Sequence, residues 1–141
     1  MRIRLGYPGP KMELELLKGE DRRKLLEASS PVISPDLIGE LQVRVTRVFA
    51  SEALLDYLQA IVRNTREQTE YESGLSPRAA LSLLRSAQAW AMLHHRDAVL
   101  PEDLQAVLPS VVGHRLRSRQ DSGGADPERI ARQLLESVPI P

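Results

Sequence analysis

Prolines stand where helices should begin, and this punctuation limits what the chain can fold into. Ser34-Pro35, Ser76-Pro77, Leu100-Pro101 and Asp126-Pro127 each open a stretch whose apolar residues recur at helical spacing. Proline costs nothing at the first helical position, because its missing N–H would have no partner there and its φ is already set. A Ser or Asp just before it offers a side-chain oxygen to the free amides of the first turn. Leu100 offers none, so that start is expected to fray. A sheet makes little use of such a pattern, since each proline removes a ladder donor. The prediction is an all-α helical bundle of roughly six to seven helices.

Composition supports helices as well. With one Trp, one Phe and three Tyr in 141 residues, the core must be built from Leu, Ile, Val and Ala. That suits helix packing better than an aromatic-rich sandwich. Nineteen Lys plus Arg balance nineteen Asp plus Glu, so no global field draws the chain to nucleic acid or to an anionic membrane. The absence of cysteine excludes disulfides and thiol chemistry. With no long apolar run and no signal peptide, a cytoplasmic location is expected and no membrane partner.

Along the chain, Met1-Arg2-Ile3-Arg4-Leu5 alternates like a half-buried strand and is stopped by Gly6-Tyr7-Pro8-Gly9-Pro10. A strand with no second strand cannot form a sheet, so residues 1–9 are expected to be the remnant of a last core strand and its hinge. A helical domain over residues 10–116 follows. It opens with two short helices divided by Gly19, the second capped by Asp21. The helix from Ser34-Pro35 is expected to fade into an extended Val43–Val48. Ser51 then caps a helix striped with Leu54, Leu58, Ile61 and Val62. Gln68 to Ser73 is expected to be a loose connection. The longest helix runs from Ser76 to about His94, with Ala80, Leu83, Leu84, Ala87, Trp90 and Ala91 on its buried face. Residues 117–126 have linker composition, and 127–141 form a last amphipathic helix packing on the domain.

Chemistry-bearing groups are few. No glycine-rich Gly-Lys-Ser/Thr loop follows a strand, and no carboxylate pair suggests magnesium binding or acid–base work. His94 and His95 are adjacent and point apart on a helix, and His114 is distant, so no metal site is expected. Arg44/Arg47 and His114-Arg115-Arg117-Arg119 are basic groupings without interleaved aromatics, and nucleic acid is not the expected partner. Arg78 stands out. It lies on the first turn of the longest helix, where the positive end of the dipole disfavours a cation by about 0.3–1 kcal/mol. A solvated Arg on a turn is the plain explanation. A guanidinium held out toward an anion is the other.

Gly74-Leu75-Ser76-Pro77-Arg78-Ala79, the Ala/Leu-rich helix after it and Arg96-Asp97-Ala98-Val99-Leu100-Pro101-Glu102-Asp103 together resemble the C-terminal lid domain of MoxR-family AAA+ ATPases. Leu5-Gly6-Tyr7-Pro8, Val48–Ala53, Asp56-Tyr57-Leu58, Val111–Leu116 and Val138–Pro141 resemble further segments of that family in the same order, with Leu75 in place of a small residue that packs near the nucleotide. The resemblance implies an AAA+ lid fold and a sensor-2 role for Arg78, the catalytic candidate, reaching the γ-phosphate of ATP. It implies that Ser76, Pro77, Tyr7 and Pro8 also line the nucleotide site, Tyr7 and Pro8 at the adenine end. ATP and Mg²⁺ would be held by a core domain missing from this chain, so the chain alone would be inactive while its parent hydrolyses ATP. Implied partners are that core domain, neighbouring subunits of a homo-oligomeric ring and von Willebrand A-domain proteins, in chaperone-like remodelling or maturation of other proteins. The competing reading is a stand-alone helical protein-interaction or DNA-binding module, since the long helix followed by Leu-Pro-Glu-Asp-Leu also resembles a histone-type arrangement.

Overall fold

The computed structural model describes residues 1–19, 21–117, 119 and 126–140. Among them are seven helices: α1 (Pro10–Lys18), α2 (Arg22–Glu27), α3 (Pro35–Arg47), α4 (Glu52–Glu67), α5 (Pro77–Leu93), α6 (Pro101–Val112) and α7 (Pro127–Ser137). The start signals act as expected. Ser34, Ser51 and Ser76 each accept, through Oγ at 3.2 Å, the amide three residues on, and Asp21 and Asp126 cap α2 and α7.

One core is shared by α4 to α7. Ile61, Leu83, Leu104, Leu108, Ile130 and Leu134 are all less than 2% exposed. Each such side chain is worth about 2–3 kcal/mol on burial, so these helices determine stability. The pairing of α5 with α6 is the most extensive, α7 covers α6, and α4 touches all three. Ala79, Ala87 and Ala91 are buried on α5, short side chains that let helix axes come close. Trp90 departs from its expected place: it is 39% exposed and lies against the His94 ring, with centroids 4.9 Å apart.

The α5–α6 hairpin is closed by polar devices. His95, at φ 56°, takes the left-handed conformation, while its amide bonds Met92 O and the Arg96 amide bonds Ala91 O, a Schellman closure of α5. Arg96 then grips Asp103 with two hydrogen bonds, at 2.6 and 2.5 Å. The second oxygen of Asp103 also accepts from the Leu100 amide at 2.8 Å. Asp103 thus ties down the amide of Leu100, the other half of a capping box, while the Asp103 amide donates to Leu100 O at 3.0 Å, so this helix start is held without a side-chain cap from Leu100.

Other expectations are corrected. Val43 to Arg47 is helical, because α3 packs on α5 and buries parts of Leu41 and Val45 at helical spacing. Its end is pinned where Gln88 Nε2 donates to Val48 O at 2.7 Å. An isolated parallel bridge, Phe49 to Ala98, ties the α3–α4 turn to the α5–α6 turn. Residues 1–9, read from the sequence as the remnant of a strand whose sheet lies elsewhere, find no strand to pair with among the described residues. Their Arg2 amide donates to Ser110 O at 2.7 Å, and Leu5 and Tyr7 stand in solvent. The Gln68–Ser73 connection is not loose either: Tyr71 is 4% exposed, and the Glu72 amide donates to Arg117 O. Of the expected linker, Arg117 and Arg119 are pinned to this connection, and residues 118 and 120–125 lie outside the described residues. Gly113 is required where α6 meets α7, since a Cβ there would fall 2.6 Å from Pro127 Cα.

α1 and α2 bury no residue. Helices of nine and six residues without tertiary packing are marginal in water, so their amides should exchange with deuterium orders of magnitude faster than those of α5 and α6 in the isolated chain.

Asp103 gives a pH test. Burial pushes its carboxyl upward, but the hydrogen bonds from Arg96 and Leu100, with the charges of Arg96 and His94, hold it below the ordinary range. A depressed folded-state pKa stabilises above the unfolded value, near ~3.9, and that contribution is lost as pH falls through the folded value. Denaturant midpoints of Asp103→Asn should therefore lie below wild type at pH 7, with the gap narrowing at pH 3.

Candidate functional site

Arg78 is the second residue of α5, and its surroundings are fixed up to its own Cα. Ser76 is extended (φ −73°, ψ 160°), and its Oγ accepts from the Ala79 amide while its carbonyl accepts from Ala79 at 2.9 Å and Ala80 at 3.1 Å. Pro77 holds the first helical φ. Just upstream, both polar groups of the Leu75 backbone are taken by the last turn of α4. The Leu75 amide donates to Thr65 Oγ1 at 3.0 Å, and Arg66 Nε donates to Leu75 O at 2.9 Å. Thr65 is 1% exposed, and its hydroxyl donates in turn to Val62 O at 2.7 Å. The Leu75 side chain is buried in the core at 3% exposure, so the large residue that stands here in place of a small one is fully packed.

Gly74 explains how the loop can lie so close to α4. A Cβ at this position would fall 2.7 Å from Arg66 Cα and 2.9 Å from its nitrogen, both backbone atoms that cannot move aside.

Arg78 itself is exposed, and among the described residues no carboxylate pairs with it. A permanently charged, planar donor fork is therefore presented to solvent from a rigid mount, the form that suits phosphate oxygens. Beside it an apolar groove of about 570 Å³, lined among others by Leu55, Leu58, Val62, Pro77 and Leu81, runs between α4 and α5.

Ser76, Pro77 and Arg78 thus form one unit. Tyr7 and Pro8 do not join it: both are exposed, and no hydrogen bond or ring contact links them to it among the described residues. His94 Nδ1 lies 2.8 Å from Trp90 O, and no cluster of three or more His, Asp or Glu able to hold a metal occurs among the described residues. The basic stretch after His114 is partly structural, with Arg119 Nε donating to Tyr71 O at 3.1 Å. Thr65 and Arg66 were not foreseen. The signal that could have found them is Gly74, a glycine just before a capped helix, which marks close backbone approach.

Residues 63–134 match the AAA lid domain family. The chain is 34% identical over 142 residues to the YeaC protein of Bacillus subtilis, and 30% identical over 151 residues to the chaperone MoxR1 of Mycobacterium tuberculosis. The chain belongs to the AAA lid domains of the MoxR family. In both comparisons 99% of the chain is aligned, but it spans only 44% and 40% of those relatives. A crystal structure of a Cytophaga hutchinsonii protein assigned as an ATPase superposes on the whole lid with a TM-score of 0.78 at 28% identity, the lid accounting for 46% of that chain. The matched lid segment contains Thr65, Gly74, Arg78, the α5–α6 hairpin and most of α7, and α1 to α3 lie before it. The stand-alone module gives way to this assignment.

Gly74→Ala should destabilise the lid by about 1–3 kcal/mol, because the loop must leave α4 and orphan the buried Leu75 amide. Chemical denaturation of the purified domain would read this. A change within about 0.5 kcal/mol would show that the loop is free to shift.

Proposed function

We propose that this lid closes over ATP held by a core domain of the same protein, and that Arg78 is its sensor-2 residue, reaching the γ-phosphate. The observation that carries the reading is the guanidinium of Arg78, unpaired among the described residues, on a first turn fixed from both sides, by the Ser76 cap and by the Leu75 backbone. The residues present fit a phosphate: the donor fork is exposed, permanently charged and free of a competing carboxylate among the described residues. ATP and Mg²⁺, bound by the core domain, supply the phosphoryl chemistry. This chain contributes one cation to the charge that builds on the phosphoryl oxygens, and its affinity for that charge makes lid position depend on the nucleotide.

Tyr7 and Pro8, in the segment before α1, would form the hinge next to the adenine. Their exposure in the lid leaves them free to meet another domain. A closing lid would pass the hydrolysis signal to neighbouring subunits of a ring, and from there to the remodelling or maturation of client proteins. The chaperone name of the mycobacterial relative supports that last step. Von Willebrand A-domain proteins are the partner class we propose for it.

In the full-length ATPase, Arg78→Ala should lower kcat for ATP roughly 10- to 100-fold with the helical content unchanged. Unaltered turnover would refute the sensor assignment. The isolated lid should bind ATP only at millimolar levels or weaker. One charged hydrogen-bonding group contributes about 1.5–3 kcal/mol, whereas micromolar affinity needs about 8 kcal/mol. Calorimetric titration showing micromolar binding would mean that the lid holds a nucleotide site of its own.

A further inference from the structure

We infer that Thr65 and Arg66, on the last turn of α4, are the positioning residues for Arg78, an inference that rests on the sensor reading above. Thr65 is buried and offers no group to a ligand, and Arg66, although exposed, is tied to the loop through its Nε, whose proton is committed to Leu75 O. Their shared object is the peptide of a single residue. Thr65 Oγ1 takes its N–H and Arg66 takes its C=O, three residues before Arg78.

Two consecutive residues of one helix therefore fix both hydrogen-bonding groups of the last loop residue before the Ser76 cap. The hydroxyl of Thr65 is fully used, donating to Val62 O within its own helix and accepting from Leu75. That fixes its rotamer and makes it a rigid acceptor. Arg66 reaches along the face that Gly74 leaves bare, which a Cβ would obstruct. Ser76 and Pro77 then carry this position into α5 without a free torsion at φ of Pro77. The guanidinium of Arg78 is the first mobile group after the clamp.

A transition-state contact of this kind is sensitive to placement, and a displacement of about 1 Å can cost up to 10²-fold in rate. Loss of the clamp should leave ATP binding by the core domain nearly intact and lower turnover. In the full-length ATPase, Thr65→Val, which keeps shape and removes the acceptor, should reduce kcat roughly tenfold with KM for ATP within about threefold of wild type. Thr65→Ser should restore kcat. Arg66→Met keeps the aliphatic stem, removes the donor and should act in the same sense, which covers the case in which Thr65→Val does not fold.

The deciding measurement is the double variant. In an Arg78→Ala background, Thr65→Val or Arg66→Met should cause no further loss of kcat, because the residue they position is gone. Equal losses in both backgrounds would overturn the inference and mark the clamp as general support. Full turnover in the clamp variants, with Arg78→Ala impaired, would overturn it while leaving the sensor reading intact. An Arg78→Ala protein with normal turnover would overturn both.

Discussion

Burial of the alanine face of α5 against α6 is the contact on which the other elements lean. α5 brings Ala79, Leu83, Ala87 and Ala91, and α6 brings Leu104, Val107, Leu108, Val111 and Val112, all in one core. Ala79, Leu83, Ala87 and Ala91 recur every four residues along one face, and the three alanines on it leave room for the larger α6 side chains. α3 has α5 as its packing partner, α7 rests chiefly on α6, and α4 bridges to α5, α6 and α7. The Schellman closure after Leu93 and the Arg96–Asp103 pair set the angle at which the two central helices leave their turn. Asp103 is 2% exposed, yet its carboxylate has three donors, so the cost of burying it is met within the turn itself.

A lid must move as one body if nucleotide state is to be felt elsewhere. The α4–α7 core meets this requirement: its apolar residues form a single cluster, and polar ties join the α3–α4 turn, α5 and the α5–α6 turn through Gln88, Val48 and the Phe49–Ala98 bridge. The first three helices differ, since none of them buries a residue, and Met12, Leu17, Leu26 and Val32 stand exposed. Stability is thus concentrated in the part that carries Arg78.

Much of this was legible because helix starts are local chemistry. A Ser or Asp before a proline specifies its cap from a few adjacent atoms, and the starts of α3, α5 and α7 fall where those pairs stand. Val43–Val48 misled for the opposite reason: its β-branched alternation is a weak local preference, and packing of α3 on α5 outweighs it. Leu100 misled because its own amide is held by Asp103, which Arg96 orients in turn, a contact that spacing suggests only once the turn is known. The site was half legible. Arg78 announces itself by an unfavourable charge at a helix start, but the grip of Thr65 and Arg66 on Leu75 is a contact with a backbone, and a backbone has no sequence. Gly74 is its only trace.

The awkward charge has a further consequence on the sensor reading. At the start of α5 the dipole repels Arg78 by about 0.3–1 kcal/mol, a small cost that the fold carries while no anion is near. A phosphate at the same place reverses the balance, since both the guanidinium and the helix start then face an anion. A charged hydrogen bond worth about 1.5–3 kcal/mol would shift an open–closed equilibrium by roughly 10- to 150-fold. On that reading it would be enough to make closure follow the γ-phosphate, and small enough that its loss would let the lid reopen. A Lys at this position would keep the charge but lose the planar fork, and a carboxylate would pair with the helix start and repel the phosphate. Among the charged side chains, Arg alone combines a local penalty in the open state with directional donors in the closed one. With the Leu75 backbone already bonded to Thr65 and Arg66, none of this modest energy would go into ordering the loop that carries Arg78.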